Sequence, residues 1–130
     1  VRLGQGVDAR GYLDPAAIER TVEATVEYQR MIEKLGATCI RFVATSATRD
    51  ASNSAEFVRQ IKAVIGVEPE VIVGTEEASL SFRGAVGGLG GAARTPMLVV
   101  DIGCGSTDLV LGSTSVQHAI SIDIGSVRVP

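Results

Sequence analysis

Residues 98–111 read Leu98-Val99-Val100-Asp101-Ile102-Gly103-Cys104-Gly105-Ser106-Thr107-Asp108-Leu109-Val110-Leu111. Two apolar runs of strand length flank a turn of glycines and hydroxyl residues, and each brings an aspartate to that turn. Strand, glycine turn and strand is the simplest fold of such a segment. Gly103 and Gly105 permit φ > 0 and put no side chain between backbone and ligand. Successive amides in such a turn can form an anion-binding nest, and an adjacent carboxylate can hold a cation. The segment therefore predicts a phosphate loop with a metal-facing Asp101. The plainer alternative is a β-hairpin with a solvated polar turn.

The chain has 130 residues, enough for one domain with a real core and too few for two. Its net charge of -3 gives no global basic field for nucleic acid, so any polyanion must be bound by a local site. No apolar stretch approaches the length of a membrane span. Cys39 and Cys104 are the only cysteines. One is predicted in a buried strand and the other in the loop, which argues against a structural disulfide and for a reducing, cytoplasmic setting. No signal peptide is visible. The chain has no initiator Met, and its first residues read as the end of a strand. A piece of a longer protein is expected.

Asp14-Pro15 predicts a helix start, with Asp14 as N-cap and Pro15 at the first helical position. Ile18, Val22, Val26 and Ile32 form its apolar stripe, broken by Gln29, and Gly36 is its stop. Thr38 to Ala44 reads as a strand. Asn53 predicts the cap of a second helix, with Glu56 completing a capping box and Phe57, Ile61, Val64 and Ile65 facing the core. Val67 to Val73 reads as an edge strand, because Pro69 lies near its start. Thr75 predicts the cap of a third helix, with Glu76 and Glu77 in its first turn. Gly87 to Gly91 reads as a link. Met97 to Ile102, Thr107 to Leu111 and Val116 to Ile122 read as consecutive strands. This order predicts an α/β domain with a mixed sheet: parallel strands joined by helices, then an antiparallel meander.

Thr45 to Asn53 follows a strand and precedes a helix, the usual place for ligand loops in open α/β sheets. Arg49 could clamp a phosphate oxygen there, or simply pair with Asp50. Of Glu76 and Glu77, about 100° apart on a helix, only one can face a given cleft. Either could act as general base, or both could merely offset the helix dipole. His118 stands alone on a strand, and neither CxxC nor HxxxH spacing occurs, so a dedicated zinc site is not expected. The single GxG opens a hairpin rather than a helix, which argues against a dinucleotide fingerprint.

Taken together, these segments resemble the exopolyphosphatase / guanosine pentaphosphate phosphatase (Ppx/GppA) family of the actin–sugar kinase–Hsp70 superfamily. The resemblance is carried by Val1 to Gly6, Val43 to Asn53, Val71 to Ala78, Asp101 to Asp108 and Ser121 to Arg128. It implies a ribonuclease H-like (actin-like ATPase) fold, a mixed sheet with flanking helices, here as an incomplete part of one lobe. Residues 1–130 would then belong to the N-terminal phosphatase domain, without its first phosphate loop and second lobe.

The resemblance implies roles residue by residue. Glu77 matches the general base that activates water. Asp101 and Asp108 match carboxylates that hold Mg²⁺ or another divalent cation. Gly103, Cys104, Gly105 and Ser106 match the phosphate cradle, and Arg49 matches a phosphate-contacting arginine. The implied substrate is inorganic polyphosphate, with guanosine pentaphosphate as the alternative, and a non-catalytic polyphosphate or nucleotide sensor as a second class. Neither nucleic acid nor membrane is an expected partner. A homodimer is one expected assembly of the full-length protein, whereas the piece alone is expected to be inactive. Two positions depart from the family's DIGGGSTE pattern. Cys104 replaces the middle glycine, where φ > 0 would strain a side chain, and Asp108 replaces a glutamate.

Overall fold

The computed structural model describes residues 1–89 and 94–127. The chain divides into two compact units, Val1–Val71 and a second that begins at Ile72. The length suggested one domain. Two units arise because each half closes a separate apolar cluster.

The first unit holds α1 (Val7–Arg10), α2 (Pro15–Leu35), β1 (Val43–Ala44), α3 (Ser46–Arg49), α4 (Ser54–Ile65) and β2 (Glu70–Val71). The ends of α2 form as the sequence predicts. The Asp14 carboxylate accepts from the Ala16 amide at 2.9 Å, and Gly36 ends the helix at φ 67, a left-handed conformation that glycine adopts without Cβ strain. α2 packs on α4. Leu13, Ile18, Phe57, Ile61 and Ile65 form the centre of the cluster beneath them.

Asn53 precedes α4, but its side chain does not cap it. It accepts instead from the Leu13 amide at 2.8 Å and donates to the Leu13 carbonyl at 3.0 Å, so the expected capping box with Glu56 is absent. These two bonds pin the loop before α4 to the turn before α2. The strands predicted at 38–44 and 67–73 shrink to two residues each, paired parallel as Val43↔Glu70 and Ala44↔Val71. Pro69 can donate no ladder bond just before β2, which limits that strand. Cys39 consequently lies outside β1 and is exposed, not buried in a strand.

The second unit holds α5 (Gly74–Gly88), β3 (Met97–Ile102), β4 (Thr107–Gly112) and β5 (Val116–Ile122). The glycine link predicted at 87–91 begins inside α5, and Gly90 and Gly91 lie outside the described residues. The meander has strand order β3-β4-β5 and is a sheet separate from β1-β2. The expected single mixed sheet is therefore two sheets. The meander finds its second layer in α5, where Ala78 and Phe82 pack on Val110. Its other face is apolar as well, with Leu98, Val100, Ile102 and Ile120 all exposed.

The α/β class expected from the residues is the class observed. No described helix is long and apolar enough to cross a membrane.

Candidate functional site

Strand register decides the geometry of the carboxylates. Successive residues of a strand point to opposite faces, and directly opposed residues share one. Asp101 is paired with Asp108, Val99 with Val110 and Met97 with Gly112. Val110 is buried against Phe82 of α5. Both aspartates therefore lie on the sheet face that α5 covers. Asp108 is only 6% exposed. Asp101 accepts a hydrogen bond from the Ser81 hydroxyl of α5 at 2.7 Å.

Ser81 belongs to none of the sequence motifs above. Its signal is a hydroxyl between Ala78 and Phe82, on the stripe that α5 buries. The same helix begins beside a cavity of about 320 Å³, lined by Val73, Gly74, Thr75, Ala78, Asp108 and the β5 segment Ala119–Ser121. Thr75 is inside the helix rather than its cap: the N-cap is Val73, whose carbonyl accepts from the Glu76 and Glu77 amides at 3.0 Å and whose apolar side chain can make no capping bond. Thr75, Asp108 and the first turn of α5 thus share one hollow, mainly apolar in its lining.

Glu77 sits in that first turn, half-buried, one helical turn before Ser81. Positions four apart lie on the same side of a helix. Glu77 is therefore on the side of α5 whose next turn reaches Asp101, and α5 lies over the face that bears both aspartates.

The loop between β3 and β4 is a tight turn closed by the Gly103 amide, which donates to the Ser106 carbonyl at 2.9 Å. That amide is spent inside the turn and cannot serve an anion, so the expected cradle loses its first donor. The Cys104 amide has no acceptor among the described residues. Gly103 does not adopt positive φ, and neither does Cys104. Gly103 is thus required by space rather than by a left-handed conformation, since a Cβ there would meet the Ser106 carbonyl at 3.2 Å, and Cys104 sits in the loop without backbone strain, its side chain exposed. Ser106 is buried beneath the turn.

Arg49 belongs to the first unit, at the last position of α3. Its Nε is 3.9 Å from the Asp50 carboxylate, too far for a hydrogen bond. The loop around it is firmly held. Thr48 is 1% exposed, the Ser52 amide donates to the Gly11 carbonyl at 2.9 Å, and Asn53 clasps Leu13. His118 lies exposed on β5. Among the described residues, no group of three or more His, Cys, Asp or Glu side chains is placed to hold a metal ion. The pair Asp101 and Asp108 remains. Two hard carboxylates beside hydroxyls suit Mg²⁺, which commonly takes one or two protein carboxylates and completes its shell with water and phosphate oxygens.

The model of the Ppx/GppA phosphatase family matches residues 1–130. The chain belongs to the Ppx/GppA phosphatase family. It is 50% identical to exopolyphosphatase 2 of Mycobacterium tuberculosis over 98% of its own length and 41% of that protein's. Among solved structures, an exopolyphosphatase-like protein is 48% identical with a TM-score of 0.92, covered over 98% of this chain and 41% of its own. The Aquifex aeolicus Ppx/GppA protein is 32% identical with a TM-score of 0.75, covered over 95% and 40% respectively. This chain thus spans about two fifths of the length of these Ppx/GppA relatives.

Proposed function

We propose that the full-length protein hydrolyses the terminal phosphoanhydride of inorganic polyphosphate. The observation that carries this reading is the meeting of Asp101 and Asp108 across β3 and β4, beneath the helix whose first turn bears Glu77. Water oxygen bonds to the terminal phosphorus, the bond from that phosphorus to the bridging oxygen breaks, and inorganic phosphate leaves with a chain one unit shorter. Glu77 takes the proton that the water loses. The rest of the protein's task is orientation and charge, since phosphoryl transfer needs little covalent help.

Asp101 and Asp108 would hold Mg²⁺ or another divalent cation, with Ser81 fixing Asp101. When bound, such a cation neutralises phosphate oxygens. The Cys104 and Gly105 amides and Ser106 form the cradle for a phosphate group. Arg49 contributes a charge-assisted contact to phosphate. The protein is cytoplasmic, acts without nucleic acid or membrane, and the full-length form assembles as a homodimer. The 130 residues alone are inactive.

The name of the Mycobacterium tuberculosis relative supports polyphosphate over guanosine pentaphosphate. Phosphate release from the two substrates, measured side by side with Mg²⁺ on the full-length protein, tests the order. A preference for the nucleotide of about tenfold, equivalent to 1.4 kcal/mol, would reverse it. Cys104 and Asp108 favour one second reading, a sensor. Binding of polyphosphate with no phosphate release, restored by Cys104→Gly with Asp108→Glu, would establish that instead.

A further inference from the structure

We infer that Gly125 is a positioning residue for the loop 103–106, holding its peptide planes from behind so that the Cys104 and Gly105 amides point to the opposite side. This rests on the reading of that loop as a phosphate cradle. The segment after β5 returns to the loop and is tied to it twice, and once more to the first residue of β4. The Ser126 amide donates to the Gly103 carbonyl at 2.9 Å, the Val127 amide to the Cys104 carbonyl at 3.0 Å, and the Thr107 hydroxyl to the Ile124 carbonyl at 2.6 Å.

A trans peptide is planar, with its C=O and the following N–H on opposite sides. Drawing the Gly103 carbonyl toward Ser126 therefore turns the Cys104 N–H away from that segment. Drawing the Cys104 carbonyl toward Val127 does the same for the Gly105 N–H. Both amides thus point away from that segment, and the Cys104 amide, which has no acceptor among the described residues, is left to face an oxyanion.

Gly125 is buried where the two strands of chain touch. A Cβ there would collide with the Cys104 carbonyl and come within 2.8 Å of the Gly105 nitrogen. Both obstacles are backbone, so neither can swing aside. Gly125 does not adopt positive φ. Space, not conformation, requires glycine at this position, and any side chain must shift the loop or break its ties.

The test uses the full-length protein, with inorganic phosphate as probe and the alkylation of Cys104 by iodoacetamide as readout. Peptide mass spectrometry separates Cys104 from Cys39. Phosphate should protect Cys104 in the parent. In Gly125→Ala, the half-protecting concentration and the KM for polyphosphate should both rise about tenfold, as expected for loss of a charge-assisted hydrogen bond. Thr107→Val removes one tie without adding bulk, and should raise both by roughly threefold while leaving the fold intact. It decides the matter if the alanine variant does not fold.

Protection in the parent that is unchanged in both variants overturns the role of Gly125 and leaves the cradle standing. A parent whose Cys104 reacts equally with and without phosphate overturns the cradle, and the role of Gly125 with it.

Discussion

Asp101 and Asp108 oppose each other across β3 and β4, yet of their two carboxylates only that of Asp101 has a hydrogen-bond partner among the described residues, the Ser81 hydroxyl at 2.7 Å. Like charges directly opposite on adjacent strands are destabilising, and Asp108, at 6% exposure, meets solvent only along the wall of the cavity at the start of α5. Such an arrangement costs stability unless a cation lies between the carboxylates.

Asp108→Asn should therefore stabilise the metal-free protein while weakening its activity. The melting temperature of the full-length protein in EDTA should rise, by about 1 kcal/mol of stability. Mg²⁺ should raise the parent's melting temperature, as a ligand of the native state does, and raise the variant's less. Phosphate release should fall at least about tenfold. A variant that melts lower than the parent in EDTA and keeps full turnover would exclude a shared cation site.

Glu77→Gln should lower kcat by about 10²- to 10⁴-fold, the range for loss of a positioned base, with little change in KM. Glu76→Gln is the control. Adjacent helix positions diverge by about 100°, so the neighbouring carboxylate cannot take over. Equal losses in the two variants would point to a shared electrostatic effect of the α5 N-terminus instead of a base at 77.

Much of this arrangement was legible in the sequence, for local reasons. The Asp14-Pro15 start, the Gly36 stop and the three strands of the meander carry their signals within a few residues. α1 and α3 were not visible, because four residues are too few to show a helical period. Asn53 carries the local signature of a cap, while its actual partner, Leu13, is 40 positions away. The same holds for Gly125, whose reason for being glycine is a backbone on the far side of a hairpin. The facing of Asp101 and Asp108 follows from their positions around the turn once the register is symmetric, whereas Ser81 becomes meaningful only when α5 is laid on the sheet.

Acid should expose the contribution of the Arg41–Glu70 pair. Arg41 donates to both Glu70 oxygens, at 3.1 Å from Nε and 2.7 Å from one terminal nitrogen. This hydrogen bonding holds the Glu70 carboxyl below its usual value of 4.5. The folded state then binds the proton less tightly than the unfolded state. The stabilising contribution is complete above the usual value and is lost as pH falls through the lower folded value. Melting temperature followed from pH 6 downward should fall more steeply for the parent than for Glu70→Gln, and added salt should shrink the difference, since both groups are exposed. Parallel curves would show that the pair contributes nothing measurable to the fold.

Gln29 interrupts the apolar stripe of α2, and the structure shows the consequence. Its Nε2 donates to Glu33 at 3.1 Å, but its Oε1 is the one buried side-chain oxygen or nitrogen without a partner among the described residues. A desolvated acceptor left unpaired costs about 1–3 kcal/mol, more than one exposed amide–carboxylate bond returns. Methionine has nearly the same length and flexibility, carries no oxygen to desolvate, and favours helix at least as well. Gln29→Met should therefore stabilise the protein by about 1 kcal/mol, read as a higher urea midpoint with an unchanged slope. A lower midpoint would mean that the Glu33 bond outweighs the stranded oxygen, and that the break in the stripe is a stabilising feature of α2.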